Sequence, residues 1–407
     1  MTVEEARELD KSDLLAFARD RFSLPDGIIY LDGNSLGALP VAAPQALART
    51  AERQWGADLI ESWTKHDWID WPVRIAAKLA PIVGAMPSEL LIADSTSVSL
   101  FKLLAAAVRA RPDRKTILTQ QRNFPTDLYV AQGLAEMLGL RMEAVAADQI
   151  VDAIDESTAV VTLTHVDYRS AGFYDMRAIN DAGHAAGALT LWDLSHSAGA
   201  VKLDLDRTGC DLAIGCGYKY LNGGPGAPAF IYVADRLQAD LASPLQGWMG
   251  HADPFAFDDD YRPADGITRF LTGTPSILAL AALEAGLDTF EGIAMKDVEA
   301  KARRLSQIFI DEVEARCGHE LRLASPRDPA QRASHAVFAH PEGYAVMQAL
   351  IARGVIGDFR APDLMRFGFA PLYNRYSEVV RAAGILGDVL QSREWDQARF
   401  KQRAKVT

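Results

Sequence analysis

The stretch "IGCGYKYLNGGPGAPAFIYV", Ile214–Val233, sets one lysine, Lys219, between two tyrosines, with an apolar run before it and a glycine–proline turn after it. Taking an ammonium out of water is costly. A lysine at the end of a buried strand therefore either snorkels to solvent or is held there for chemistry. In the second case a desolvated amine can condense with a carbonyl carbon. Which applies depends on what the rest of the chain brings to the same place.

Working outward, "DLAIGCG" before the lysine and "GAPAFIYVA" after it read as buried strands. Upstream, "LLIADS" (Leu90–Ser95), "TILTQ", "AVVTLTHV" and "ALTLWDLS" are strand-like. They alternate with helical spacing in "VSLFKLLAAAVRA", from about Thr126 and from about Met176. Strands alternating with helices predict βαβ units, a mainly parallel sheet and right-handed crossovers. From about Ser276 the pattern changes. Two long helical stretches, "SILALAALEAGLDTFEG" and "AMKDVEAKARRLSQIFIDEVEARC", lead to strand candidates "AVFAH" and "LMRFGFA". The expected fold is α/β in two parts, because 407 residues exceed what one hydrophobic core usually serves. Residues 46–275 are expected to form the large domain. Residues 276–407, with the N-terminal 1–45, are expected to form the smaller one.

Composition excludes several classes. Hydrophobic residues make up 49% and charged residues 24%, the balance of a globular enzyme. The formal charge of −12 gives no basis for binding nucleic acid or an anionic membrane surface. Cys210, Cys216 and Cys317 form no C-x-x-C pair, so neither a disulfide scaffold nor a structural zinc site is expected. "MTVEEARELDKSD" lacks the basic and apolar regions of a secretory signal, and no apolar run approaches a bilayer's span. The expected location is the cytoplasm.

In an open parallel sheet, ligands bind beyond the carboxyl ends of the strands. The polar residues there are Ser95–Ser97, Asn123–Asp127, His165–Tyr168, Asp193–His196 and Tyr218–Lys219. No strand end carries a dinucleotide or nucleoside triphosphate fingerprint. Asp193, Ser195 and His196 are too close in sequence for a hydrolase triad, whose members come from separate elements. A metal site on Asp193 and His196 would need further donors that the sequence does not offer. Asp193 as a helix cap remains a sufficient structural reading. An aspartate ending one strand and a lysine following a later one is also what pyridoxal phosphate requires. The carboxylate faces the ring nitrogen, the amine holds the aldehyde carbon, and the helix start after Ser95 takes the phosphate.

The sequence resembles the kynureninase family, within the aminotransferase-like (fold type I) group of pyridoxal-phosphate enzymes. The matching stretches run nearly the length of the chain: "YLDGNSLGALP", "STSVSLFKLL", "NFPTDLYVAQGL", "WDLSHSAGAV", "GCGYKYLNGGPGAPAF", "GWMGH", "RFLTGTPSILAL" and "APLYNRY". The resemblance implies hydrolytic Cβ–Cγ cleavage of L-kynurenine, or its 3-hydroxy form, to the anthranilate and L-alanine in tryptophan breakdown. By motif it makes Lys219 the cofactor-bearing lysine, Asp193 the partner of the ring nitrogen and His196 a nearby support. Phe124 stacks on the ring, within the turn Phe124, Pro125, Thr126 and Asp127. Thr96, Ser97 and Thr164 touch the cofactor, and Tyr218 binds phosphate and relays a proton. Trp248 and Thr274 match positions that reach the cofactor across a dimer interface, so a homodimer with shared sites is implied. Arg366 is the expected partner of the substrate carboxylate, since a guanidinium fork matches it bidentately. Asn34, His66 and Trp68 are expected near the arylketone. The pattern departs at Ser99, where relatives often carry asparagine. Rivals are a cysteine desulfurase or an aminotransferase of the same group, and a non-catalytic scaffold. Against the first, Cys210 and Cys216 fall in or beside a buried strand.

Overall fold

The computed structural model describes residues 1–403. Its large sheet has seven strands: β1 (Leu90–Ile92), β2 (Thr116–Gln120), β3 (Arg141–Val145), β4 (Thr158–Thr164), β5 (Leu189–Asp193), β6 (Leu212–Gly215) and β7 (Phe230–Val233). Their order is β1-β7-β6-β5-β4-β2-β3, and β7 is antiparallel to both of its neighbours. Every residue of β4 and β5 is buried, as expected of central strands covered on both faces. The edge strand β3, "RMEAV", is only partly buried and carries two charges, so it has no apolar run to mark it in the sequence.

Helices α1 (Thr96–Arg109), α2 (Pro125–Leu138) and α3 (Met176–Ala186) follow β1, β2 and β4. Each starts for a local reason. Ser95 Oγ caps α1, Pro125 opens α2 where its missing N–H costs nothing, and Asp175 caps α3. Ladder register sets the site. Thr164 pairs with Asp193, and Asp193 with Ile214, so β4, β5 and β6 end at one level of the sheet.

A second, antiparallel sheet holds β8 (Arg322–Leu323), β9 (His335–Ala339), β10 (Asp358–Arg360) and β11 (Leu364–Gly368), in the order β8-β9-β11-β10. Its core contains Phe309, Phe338, Phe367 and Phe369. Apolar residues of α4 (Ile277–Asp288), among them Leu280, Leu283 and Leu287, join the core of the large sheet. So does Val298 in α5 (Met295–Cys317), whereas Leu305 and Phe309 of the same helix join the second core. We propose that the domain division lies inside α5 rather than at residue 276. The N-terminal segment serves both cores, Phe22 and Ala38 in one and Ile29 and Leu31 in the other. Its strand Ile29–Tyr30 pairs with Val355–Ile356, and the Gly37 N–H donates to the Tyr218 carbonyl at 2.8 Å. A Cβ at Gly37 would collide with the Lys219 backbone, so glycine permits this close approach. Among the described residues, no helix is long and apolar enough to cross a membrane.

Candidate active site

A cavity of about 790 Å³ opens at the carboxyl end of the large sheet. Its floor is Thr164 at the end of β4 and Asp193 at the end of β5, both buried. At one end lie Thr96 and Ser97 in the first turn of α1, with Ser95 capping the Val98 N–H at 3.4 Å. The orphan N–H groups and dipole of a 14-residue helix favour an anion there. Phe124 and the first turn of α2 form one side. Phe124 meets Tyr168 edge to face at 5.3 Å.

Lys219 projects from the turn after β6, half-buried. Its Nζ is 3.1 Å from His196 Nε2 and 5.9 Å from the ring centroids of both Phe124 and Tyr218. Burial drives the His196 imidazole well below its ordinary pKa, and the positive charges of Lys219 and Arg366 add to the effect. The ring is therefore neutral and can accept from the amine. His196 Nδ1 is buried without a partner.

Asp193 Oδ1 accepts the Ser195 N–H at 2.7 Å. Thr164 Oγ1 donates to Asn123 Oδ1 and lies 3.2 Å from Asp127 Oδ2. Burial, reinforced by the Asp193 charge, pushes Asp127 well above the usual carboxylate range. Burial also raises the Tyr218 phenol, with neighbouring Cys216 and Asp193 adding to it. Cys210, Cys216 and Cys317 are free and buried, and burial raises the Cys216 thiol.

The sequence candidates divide. Thr96, Ser97, Phe124, Thr126, Asp127, Thr164, Asp193, His196, Tyr218 and Lys219 all border this cavity. Pro125 does not; it is spent on the helix start. Asn34 is buried against Gly368, away from the wall. His66 turns to Asp58 at 2.8 Å, and the Trp68 indole N–H to Gln54 at 2.8 Å. Trp68 instead lines a separate apolar recess of about 470 Å³ with Trp55 and Ile277, which meets the main cavity at Ser276. Trp248 and Thr274 are exposed and lie outside the wall of this chain's cavity. Arg366 is buried behind Tyr168, its guanidinium held by Asp358. Ser99 donates to the Ala93 carbonyl at 3.3 Å. Sequence reading missed Asp358, Ser35 and His335, which gather behind the cavity; Ser35 lies in the quoted stretch "YLDGNSLGALP", whereas no such stretch holds Asp358 or His335. A larger cleft of about 1010 Å³ shares no wall residue with the site.

The donor set fits pyridoxal phosphate. Hydroxyls at a helix start suit its phosphate, an aromatic face suits its ring, a carboxylate stands at the far end, and an amine is left open beside them. Among the described residues, no group of three or more His, Cys, Asp or Glu could hold a metal ion.

Comparison with known proteins places the chain in a family. The chain is 49% identical, over all of both chains, to a protein named kynureninase from Pseudomonas fluorescens, and 48% identical over all of both to one from Burkholderia mallei (strain SAVP1). Residues 298–386 match the model of the kynureninase C-terminal domain, a match that begins in α5. Among solved structures, an apo cysteine desulfurase from Thermococcus onnurineus NA1 superposes with TM-score 0.79 at 19% identity, covering 93% of this chain and 98% of its own. A cysteine desulfurase from Escherichia coli gives 0.76 at 19%, with 93% and 98% covered. These two share the fold, whereas the first two share sequence along its whole length, and the chain belongs to the kynureninase family.

Proposed function

We propose that this protein hydrolyses the Cβ–Cγ bond of L-kynurenine, or its 3-hydroxy form, giving L-alanine and the corresponding anthranilate, with pyridoxal phosphate on Lys219. One observation carries the reading. A half-buried amine with an open coordination sphere stands among the strand-end residues Asp193, Thr164 and His196 in a cavity of suitable size. Bound there, the cofactor supplies an electron sink for the pair released when a bond at the substrate's α- or β-carbon breaks.

The protein's residues do the rest. Thr96, Ser97 and the first-turn N–H groups of α1 bind the phosphate, with Tyr218 beside them. Asp193 would pair with the ring nitrogen and Phe124 would pack on the ring. Lys219 Nζ takes the proton from the substrate α-carbon, steadied by neutral His196 at 3.1 Å. Arg366 holds the α-carboxylate, and the aromatic end points past Ser276 toward the recess of Trp55 and Trp68. Water adds at the γ-ketone, the Cβ–Cγ bond breaks, and the anthranilate leaves. Tyr218, whose phenol burial keeps protonated, gives a proton to the β-carbon, and Lys219 restores to the α-carbon the proton it took, completing L-alanine.

The surface positions of Trp248 and Thr274 favour a homodimer in which each copy completes the other's site. The expected setting is cytoplasmic tryptophan breakdown. The purified protein, incubated with each substrate, should release anthranilate or 3-hydroxyanthranilate, followed by fluorescence. Conversion of an added α-keto acid without anthranilate release would replace this reading with an aminotransferase.

A further inference from the structure

Arg366 is the most heavily bonded side chain near the cavity, and the way its donors are divided is informative. Its Nε donates to Asp358 Oδ1 at 2.7 Å, and Nη2 donates to Asp358 Oδ2. That pair takes the side edge of the guanidinium. The end edge is taken otherwise: Nη1 donates to the Tyr168 carbonyl at 2.8 Å, and Nη2 to Ser35 Oγ at 3.1 Å. Four of the five N–H groups are thus engaged. Arg366 and Asp358 are both buried, and they face each other across one ladder, since β10 and β11 pair Asp358 with Arg366.

The two edges are not equivalent. Asp358 is charged, chelating and fixed in the sheet. Burial alone would raise its carboxyl, yet the hydrogen bonds and charge of Arg366 hold it below the ordinary range. Arg360 adds a second cation 2.7 Å from Asp358 Oδ2. The end-edge acceptors are neutral and come from loops that border the cavity. Tyr168 lines it, and Ser35 precedes Leu36, which also lines it.

Resting on the assignment of Arg366 to the substrate carboxylate, we infer that Asp358 is the positioning residue for that recognition. Asp358 holds the side edge and so aims the end edge of Arg366 at the cavity. The incoming α-carboxylate takes the places of the Tyr168 carbonyl and the Ser35 hydroxyl on Arg366, while Asp358 stays and continues to accept from Ser35 Oγ, which donates to Asp358 Oδ2 at 3.0 Å. A carboxylate exchanged for two neutral acceptors gains charge-assisted, bidentate hydrogen bonds without the guanidinium having to reorient.

The test compares L-kynurenine with its decarboxylated analogue, used as the probe that lacks the recognised group. Asp358→Asn should raise KM for L-kynurenine about tenfold, more than it lowers kcat, and cut the preference for L-kynurenine over the analogue by a similar factor. In an Arg366→Gln background the same change should cost nothing further, because there is no fork left to aim. Wild-type KM and preference in folded Asp358→Asn, or a fully additive loss in the double variant, overturns the inference. Wild-type KM in Arg366→Gln overturns the assignment on which it rests, and so separates the two failures. Folding is judged by circular dichroism and by the visible absorbance of bound cofactor. Asp358→Glu, which keeps the charge but displaces the grip by one methylene, is the second variant. It should raise KM about threefold, and an unaltered preference in that protein would also overturn the inference.

Discussion

Lys102 and Lys219 are both drawn out of bulk water within the same domain, and the protein treats them in opposite ways. Lys102, in α1, is fully buried and its ammonium is matched donor for acceptor: Asp94 Oδ2, the Phe270 carbonyl and Thr272 Oγ1. Burial lowers its pKa although Asp94 opposes the shift. Lys301, also buried, is charge-paired with Asp13 at 2.6 Å and lies over the Tyr376 ring. Among the described residues, Lys219 has a single polar partner, the neutral His196, and otherwise faces two aromatic rings. A saturated ammonium is a structural part. An amine left with unfilled donor positions in a cavity is available to form a bond.

The largest effect expected from this contrast is chemical. Lys219→Ala should cut turnover by about 10⁴-fold or more and remove the visible absorbance of bound cofactor, while the unfolding midpoint of the cofactor-free protein stays near wild type. Turnover that survives the change would break the contrast outright. Next comes Lys102→Met, where the loss should be in stability. It strands Asp94, which sits at φ 51° in the left-handed region, and releases the Phe270–Thr272 segment that Lys102 ties to the turn before α1. The unfolding free energy should fall by about 2–3 kcal/mol, read from a urea midpoint; partial exposure of Asp94 keeps the figure below that for a fully buried pair. An unchanged midpoint would show that saturated donors do not mark a structural lysine here.

Lys219 itself was legible because its neighbours are local. An apolar strand, a lysine and a glycine-rich turn are contiguous, and each strand end around it carries its own short signature. The turn at Ser95–Ser97 and the strand end at Asp193, proposed here to hold the cofactor, are local signals of the same kind. Ladder register was not. Asp358 meets Arg366 because β10 pairs with β11, and β10 is only three residues long, too short for a periodic signal. The wide helical stretch Arg49–Asp58 carries no apolar stripe that would announce it. Trp248 and Thr274 are exposed on one chain, so a single copy cannot show what they face. Of the residues expected near the arylketone, Asn34 packs against Gly368 and His66 turns to Asp58, while Trp68 lines the recess that meets the main cavity at Ser276.

The comparison can be sharpened within the Arg366 cluster, where two carboxylates differ as the lysines do. Asp358 is saturated by Arg366, while Asp32 Oδ1 is buried without a partner. Burial, then the charge of Asp358, pushes Asp32 up to about 7, against the pull of Ser35, Arg366 and Arg360. Tyr30, Tyr220 and Tyr373 also face it, and burial raises all three phenols, so they stay neutral. The folded protein thus binds this proton more tightly than the unfolded chain, whose aspartate titrates near ~4. Asp32 therefore makes stability fall as pH rises from ~4 to about 7, with the penalty complete above that. Asp358, held low, does the reverse: its contribution is present at neutral pH and is lost as pH falls through its depressed value. Asp32→Asn mimics the protonated acid. It should raise the thermal midpoint at both pH values and by more at pH 8 than at pH 5, the further gain being about 2–3 kcal/mol of free energy. Equal midpoint changes at the two pH values would mean that Asp32 is as well paired as Asp358, and that an unfilled acceptor in this cluster carries no energetic consequence.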